Sequence, residues 1–110
     1  MPRRLLTDFE LMILLAILRV GSDAYGVPIA EEIERTGGRR AALGAIYAAL
    51  DRLERNGLVS SVLGQPTAER GGRAKRFFTV TPQGLRGVKE TQRALVALWK
   101  DVPQLKGGRA

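Results

Sequence analysis

The chain has 110 residues, with 18 Lys and Arg against 11 Asp and Glu, a formal charge of +7. That length holds one domain with a modest core, and so basic a balance favours a polyanionic partner, nucleic acid first and an anionic membrane surface second. Cysteine and histidine are both absent, which excludes disulfides and thiolate chemistry and removes the commonest metal ligand and general base.

Residues 1–6 form a short basic lead. Thr7 and Glu10 have the spacing of a capping box and open a helix expected over Asp8–Val20. Phe9, Leu11, Met12, Ile13, Leu14, Leu15, Ile17 and Leu18 cover nearly its whole circumference. One core in so small a domain rarely surrounds a helix. One side is therefore expected to pack inward and the other, with Leu11 and Leu15, against a second subunit; the alternative is a central core helix of a monomer. Asp8, Glu10 and Arg19 interrupt the apolar run, which is too short for a membrane span. It also lacks a signal-peptide cleavage pattern, so a cytoplasmic protein with no membrane partner is expected.

Residues 21–26 read as a turn, with Ser22 or Asp23 capping the next helix. Pro28 suits that helix's first turn. The helix, expected over Val27–Thr36, buries Val27, Ala30 and Ile33, shows Glu31, Glu32, Glu34 and Arg35 to water, and stops at Gly37 and Gly38. Its acidic face marks it as a support. Arg39 and Arg40 come next, placed either to reach phosphates beside the third helix or to lie in a solvated loop.

Residues 43–56 read as the helix the chain is organised around. Leu43, Ile46, Leu50 and Leu53 form one stripe with Tyr47 at its edge. Gly44, Ala45, Ala48, Arg52 and Arg55 lie opposite, where small residues permit close approach and arginine forks suit phosphates or base edges. An ordinary surface helix has the same composition, and the hairpin after it separates the two readings. Gly57 stops the helix. Leu58, Val59, Val62 and Leu63 read as one strand and residues 77–80 as another. Between them Arg70, Gly71, Gly72, Arg73, Lys75 and Arg76 make a basic, glycine-bearing hairpin tip. A basic hairpin directly after such a helix points to double-stranded DNA.

Thr81-Pro82 starts a last helix. Leu85, Val88, Gln92, Leu95, Trp99 and Val102 alternate spacings of three and four, a heptad seam with one polar position that fits a homodimer. The alternative lays this helix along its own domain. From Pro103 on the chain reads as a frayed tail. The expectation is a mainly α (α+β) fold, a winged helix-turn-helix over residues 5–80 with a C-terminal dimerisation helix over 81–103.

Tyr25-Gly26, the spacing Gly44-x-x-Tyr47-x-x-Leu50-x-x-Leu53, Gly57-Leu58, Arg73-x-Lys75-x-Phe77 and Thr81-Pro82-x-Gly84 resemble the PadR-like family of bacterial transcriptional regulators, over about Leu5–Leu85. The resemblance implies a dimeric winged helix-turn-helix repressor on a palindromic operator. It implies Tyr47 and the exposed first half of its helix in the major groove, and the Arg70–Arg76 wing on the backbone or minor groove. Some relatives bind aromatic molecules between subunits through a C-terminal tryptophan, which makes Trp99 a candidate effector contact. One departure is that Ala41 and Ala42 stand where the family often has a side-chain cap. The competing reading is a winged-helix protein-interaction module without specific DNA binding. An enzyme would need Ser22, Ser60, Ser61 or carboxylates, and no base stands near these serines in sequence. No catalytic residue, metal or cofactor is expected.

Overall fold

The computed structural model describes residues 5–64 and 74–106. The first helix, α1 (Asp8–Val20), opens with the capping box closed both ways: the Glu10 N–H donates to the Thr7 hydroxyl at 3.2 Å, and the Thr7 N–H donates to the Glu10 carboxylate at 2.9 Å. Ile13, Leu14, Ala16 and Ile17 are buried, whereas Leu15 and Leu18 are exposed. One side of α1 is therefore core and the other is an apolar surface of the single chain, as its all-round hydrophobicity implied.

A 3₁₀ turn, Gly21–Asp23, leads to α2 (Gly26–Gly37). Neither Ser22 nor Asp23 caps it. Tyr25 holds the cap position without a side-chain hydrogen bond, and the Asp23 carbonyl accepts from the Tyr25 N–H at 2.9 Å. The phase of α2 also differs from the sequence expectation. Ile29 and Ile33 enter the core, Val27 is exposed, and Glu32 is buried rather than shown to water.

Glu32 is stabilised where it lies because two helices converge on it. Arg19 of α1 donates through Nε at 2.6 Å, the Thr36 hydroxyl donates at 2.6 Å, and Arg35 pairs with the other carboxylate oxygen. A buried carboxylate is tolerable only when paired and hydrogen-bonded in this way. The Thr36 hydroxyl and Arg19 guanidinium, aided by Arg35, outweigh desolvation and hold its carboxyl at about 2, below the ordinary 4.5. A lowered folded-state pKa stabilises the fold above the unfolded value and loses that contribution as pH falls toward the folded one. The Tm gap between wild type and Glu32→Gln should therefore be full above pH 4.5 and shrink between 4.5 and about 2. A gap constant across that window would remove Glu32 from the acid response.

Helix α3 (Leu43–Arg55) buries Ile46, Ala49, Leu50 and Leu53 against α1 and α2. Leu43 belonged to the expected stripe but stays 40% exposed, since Ala49 completes the buried face one turn further in. The helix ends in a full Schellman motif: the Leu58 N–H donates to the Leu53 carbonyl at 2.9 Å and the Gly57 N–H to the Glu54 carbonyl at 3.0 Å. Gly57 sits at φ +80°, a conformation glycine adopts freely.

Strands β1 (Val59–Leu63) and β2 (Arg76–Val80) pair antiparallel, with Val59 opposite Val80 and Leu63 opposite Arg76. Val59, Phe78 and Val80 face the core. The Phe78 N–H donates to the Ala24 carbonyl at 2.8 Å, which ties the hairpin to the turn before α2. The tip between the strands, with Arg70, Gly71, Gly72 and Arg73, lies outside the described residues.

Helix α4 (Pro82–Trp99) starts as expected, with Thr81 accepting from the Gly84 N–H at 3.0 Å and Pro82 in the first turn. Thr81 also donates to the Gly57 carbonyl at 2.7 Å, so the end of α3 and the start of α4 share one corner. Thr91 is buried and accepts from the Leu6 N–H at 3.1 Å. The helix stops short of Val102: Lys100 turns extended, Asp101 takes φ +61°, and a 3₁₀ turn forms at Pro103–Leu105. The chain near Pro103 is thus turned and tied by a Lys106–Asp101 ion pair at 3.5 Å.

Candidate nucleic-acid interface

Gly44, Ala45, Ala48, Arg52 and Arg55 of α3 are all exposed, as the periodicity required once Ile46, Ala49, Leu50 and Leu53 had turned inward. Nothing lies within 4 Å of where a Gly44 side chain would stand. Ala42 holds the N-cap position with no side-chain hydrogen bond. The amide hydrogens of the first turn therefore lack a capping acceptor at the positive end of the helix dipole.

A shallow depression of about 470 Å³ runs beside this face, bordered by Phe9, Arg39, Arg40, Ala45, Ala48 and Arg52. Three of the expected cations thus share one rim with two of the expected small residues. They are held differently. Arg39 lies over the Phe9 ring at 4.7 Å and pairs with Asp8 at 3.3 Å, so its fork is presented on an aromatic platform. Arg40 reaches Glu34 only at 3.7 Å and is 87% exposed. Arg52 has no ion-pair partner among the described residues. Phe9 escaped the sequence reading, because an aromatic in an apolar helix gives no sign that a distant arginine will cover it.

Tyr47 is 38% exposed, at the edge of the buried stripe as expected. Its ring and hydroxyl lie directly on Gly26, where any side chain would overlap them. The tyrosine therefore joins the start of α2 to the face of α3. This contact brings two of the motifs, Tyr25-Gly26 and the one that holds Tyr47, together in space.

At the wing root, the Lys75 ammonium stands 4.6 Å over the Tyr25 ring, and Tyr25 meets Phe77 edge-on at 5.6 Å. Arg76, expected to point at a polyanion, instead turns toward α3. It pairs with Asp51 at 3.3 Å and with Glu54, and it donates through Nε to the Ser61 hydroxyl at 3.0 Å. Asp51 and Glu54 stand at helix i, i+3 spacing, where one cation can serve both, but the sequence does not say which one.

Between α1 and α4 runs an open apolar groove of about 640 Å³. Leu11, Leu15, Val88, Gln92, Leu95 and Trp99 line it, six of the eight residues expected at the dimer interface. Leu85 lies outside this lining, and Val102 lies beyond the end of the helix.

Residues 14–90 match the model of the Transcriptional regulator PadR-like family. The chain belongs to that family. It is also 35% identical over 81 residues to a transcriptional regulator of Mycobacterium tuberculosis, covering 74% of this chain and 71% of that one. Among solved structures, a PadR-like regulator from Bacillus cereus superimposes with a TM-score of 0.69 at 23% identity, covering 92% of this chain and 93% of that chain. Bacillus subtilis PadR in complex with operator DNA superimposes at 0.63 and 21% identity, over 76% of this chain and 45% of that one. These matches show the winged-helix fold of PadR-like regulators. No helix among the described residues is long and apolar enough to cross a membrane.

Proposed function

We propose that this PadR-like transcriptional regulator is a sequence-specific, double-stranded DNA-binding repressor that acts as a homodimer in the cytoplasm. Residues 5–80 form the DNA-binding unit and residues 81–103 the dimerisation segment, helical over Pro82–Trp99. The observation that carries this reading is the α3 surface, where Ala45 and Ala48 line one depression with Arg39, Arg40 and Arg52 and Gly44 is exposed on the same helix. Small side chains let the helix enter a major groove. Arg39, Arg40 and the open amides of the first turn meet flanking phosphates, while Tyr47 and Arg52 reach base edges. Lys75 and the wing cations Arg70 and Arg73 add backbone or minor-groove contacts. The operator-bound relative from Bacillus subtilis supports this reading by fold.

Two recognition helices joined through the α1–α4 groove would occupy successive major grooves of a palindrome, about 34–36 Å apart. Repression is then steric. The same groove carries the effector reading, because Trp99 is 67% exposed on its wall, an indole open to stacking by a flat aromatic ligand.

Salt titration tests the phosphate contacts. Log affinity should fall linearly with log salt, and Arg40→Ala should lower the slope by about 0.9 per phosphate lost. An unchanged slope would remove Arg40 from the interface. Weak binding with no preferred sequence would favour a protein-interaction module instead.

A further inference from the structure

Arg76 lies in a run of wing cations, yet its guanidinium is engaged by carboxylates of α3. Its guanidinium spans Asp51 and Glu54, the two acidic residues of α3, and lies 5.4 Å over the Phe78 ring. Ser61 of β1 closes the cluster, accepting from Arg76 at 3.0 Å and donating to Glu54 at 2.7 Å. Four side chains from α3, β1 and β2 thus share one network at the wing root. We infer that Arg76 is a positioning and charge-masking residue: it offsets one of the two carboxylate charges of Asp51 and Glu54, and fixes the angle between wing and recognition helix, instead of contacting phosphate. The inference rests on the DNA-binding reading above.

The physical need is plain. Asp51 and Glu54 sit on the wing-facing side of a helix that must approach phosphates, within the roughly 10 Å over which charge acts at 0.1 M salt. Unmasked, they repel the ligand the helix is built to meet. Asp51 and Arg76 are exposed and only Glu54 and Ser61 are half-buried, so loss of their ion pairs changes folding stability little; the effect belongs to binding.

The test measures affinity and salt slope on a short mixed-sequence duplex, because phosphate contacts are sequence-independent. Arg76→Gln should weaken binding about five-fold, the range of an exposed charge pair, with no change in slope. Asp51→Asn with Glu54→Gln, retaining Arg76, should bind tighter than wild type and steepen the slope by about 0.9, since a cation is released toward phosphate. Adding Arg76→Gln to that pair should return the slope to near wild type and leave affinity between that of wild type and of the double variant, because the added cation contact is lost while the one net negative charge of the trio is gone. A slope that drops by about 0.9 in Arg76→Gln alone, or a carboxylate-free double variant no tighter than wild type, overturns the inference. Failure of the wild-type chain to bind duplex at any salt overturns the DNA-binding reading with it; normal wild-type binding with silent variants overturns the mask alone.

Discussion

Gly26→Ala is expected to destabilise the fold and to unseat Tyr47. Gly26 is the first residue of α2 and is buried, and a methyl there would overlap the Tyr47 hydroxyl and ring. Either the ring swings out of its seat or α2 and α3 separate, and overpacking of this kind costs about 1–3 kcal/mol. For a domain of this size that is a Tm fall of roughly 5–15 °C. The sign is the diagnostic feature, because Gly→Ala within a helix ordinarily stabilises by about 0.5–1 kcal/mol. Gly44→Ala supplies the matched control: its site is open, so that variant should melt higher than wild type. Adding Tyr47→Ala to Gly26→Ala should recover much of the loss, which a double-mutant cycle reads as coupling. If Gly26→Ala melts at or above wild type, the tyrosine does not rest on the helix start.

Trp99→Ala is expected to weaken the dimer by at least about 30-fold, the effect of deleting a central aromatic anchor worth about 2 kcal/mol. In the single chain the C-terminal half of α4 exposes Leu95, Val96, Leu98 and Trp99 beside exposed Leu15 of α1. Soluble monomers rarely leave so continuous an apolar surface open to water. Under the proposed dimer, which engages both half-sites together, DNA binding should fall more steeply than dimer affinity does. Sedimentation at micromolar concentration checks the first effect: a wild-type dimer and a substantially monomeric variant are expected. A wild-type monomer, or a variant as dimeric as wild type, would contradict the α1–α4 interface.

Local chemistry made the element boundaries legible. Thr7 with Glu10, Gly57 before Leu58, and Thr81 before Pro82 each satisfy named backbone groups, and each bounds a helix where its residues require. The exposed face of α3 came directly from its period. What the sequence concealed depends on partners distant along the chain. Glu31, Glu32 and Glu34 look alike until Arg19 of another helix selects Glu32 for burial. Ile29 enters the core where Val27 was expected, on a helix whose first residue, Gly26, lies against Tyr47 of α3. Arg76 resembles its neighbours until the hairpin brings it over Asp51 and Glu54. The seam ran on to Val102 in the pattern alone. Pro103 disfavours helical geometry at the residue before it, and Val102 is extended at φ −80° and ψ 114°.

Specific recognition of DNA by α3 is tested most directly by selecting genomic DNA fragments with the purified protein at near-physiological salt. One palindromic motif should be recovered, with half-sites about 34–36 Å or one helical turn apart, and it should be lost in an Arg52→Ala variant. Uniform recovery without a motif would contradict specific recognition and direct attention to protein partners.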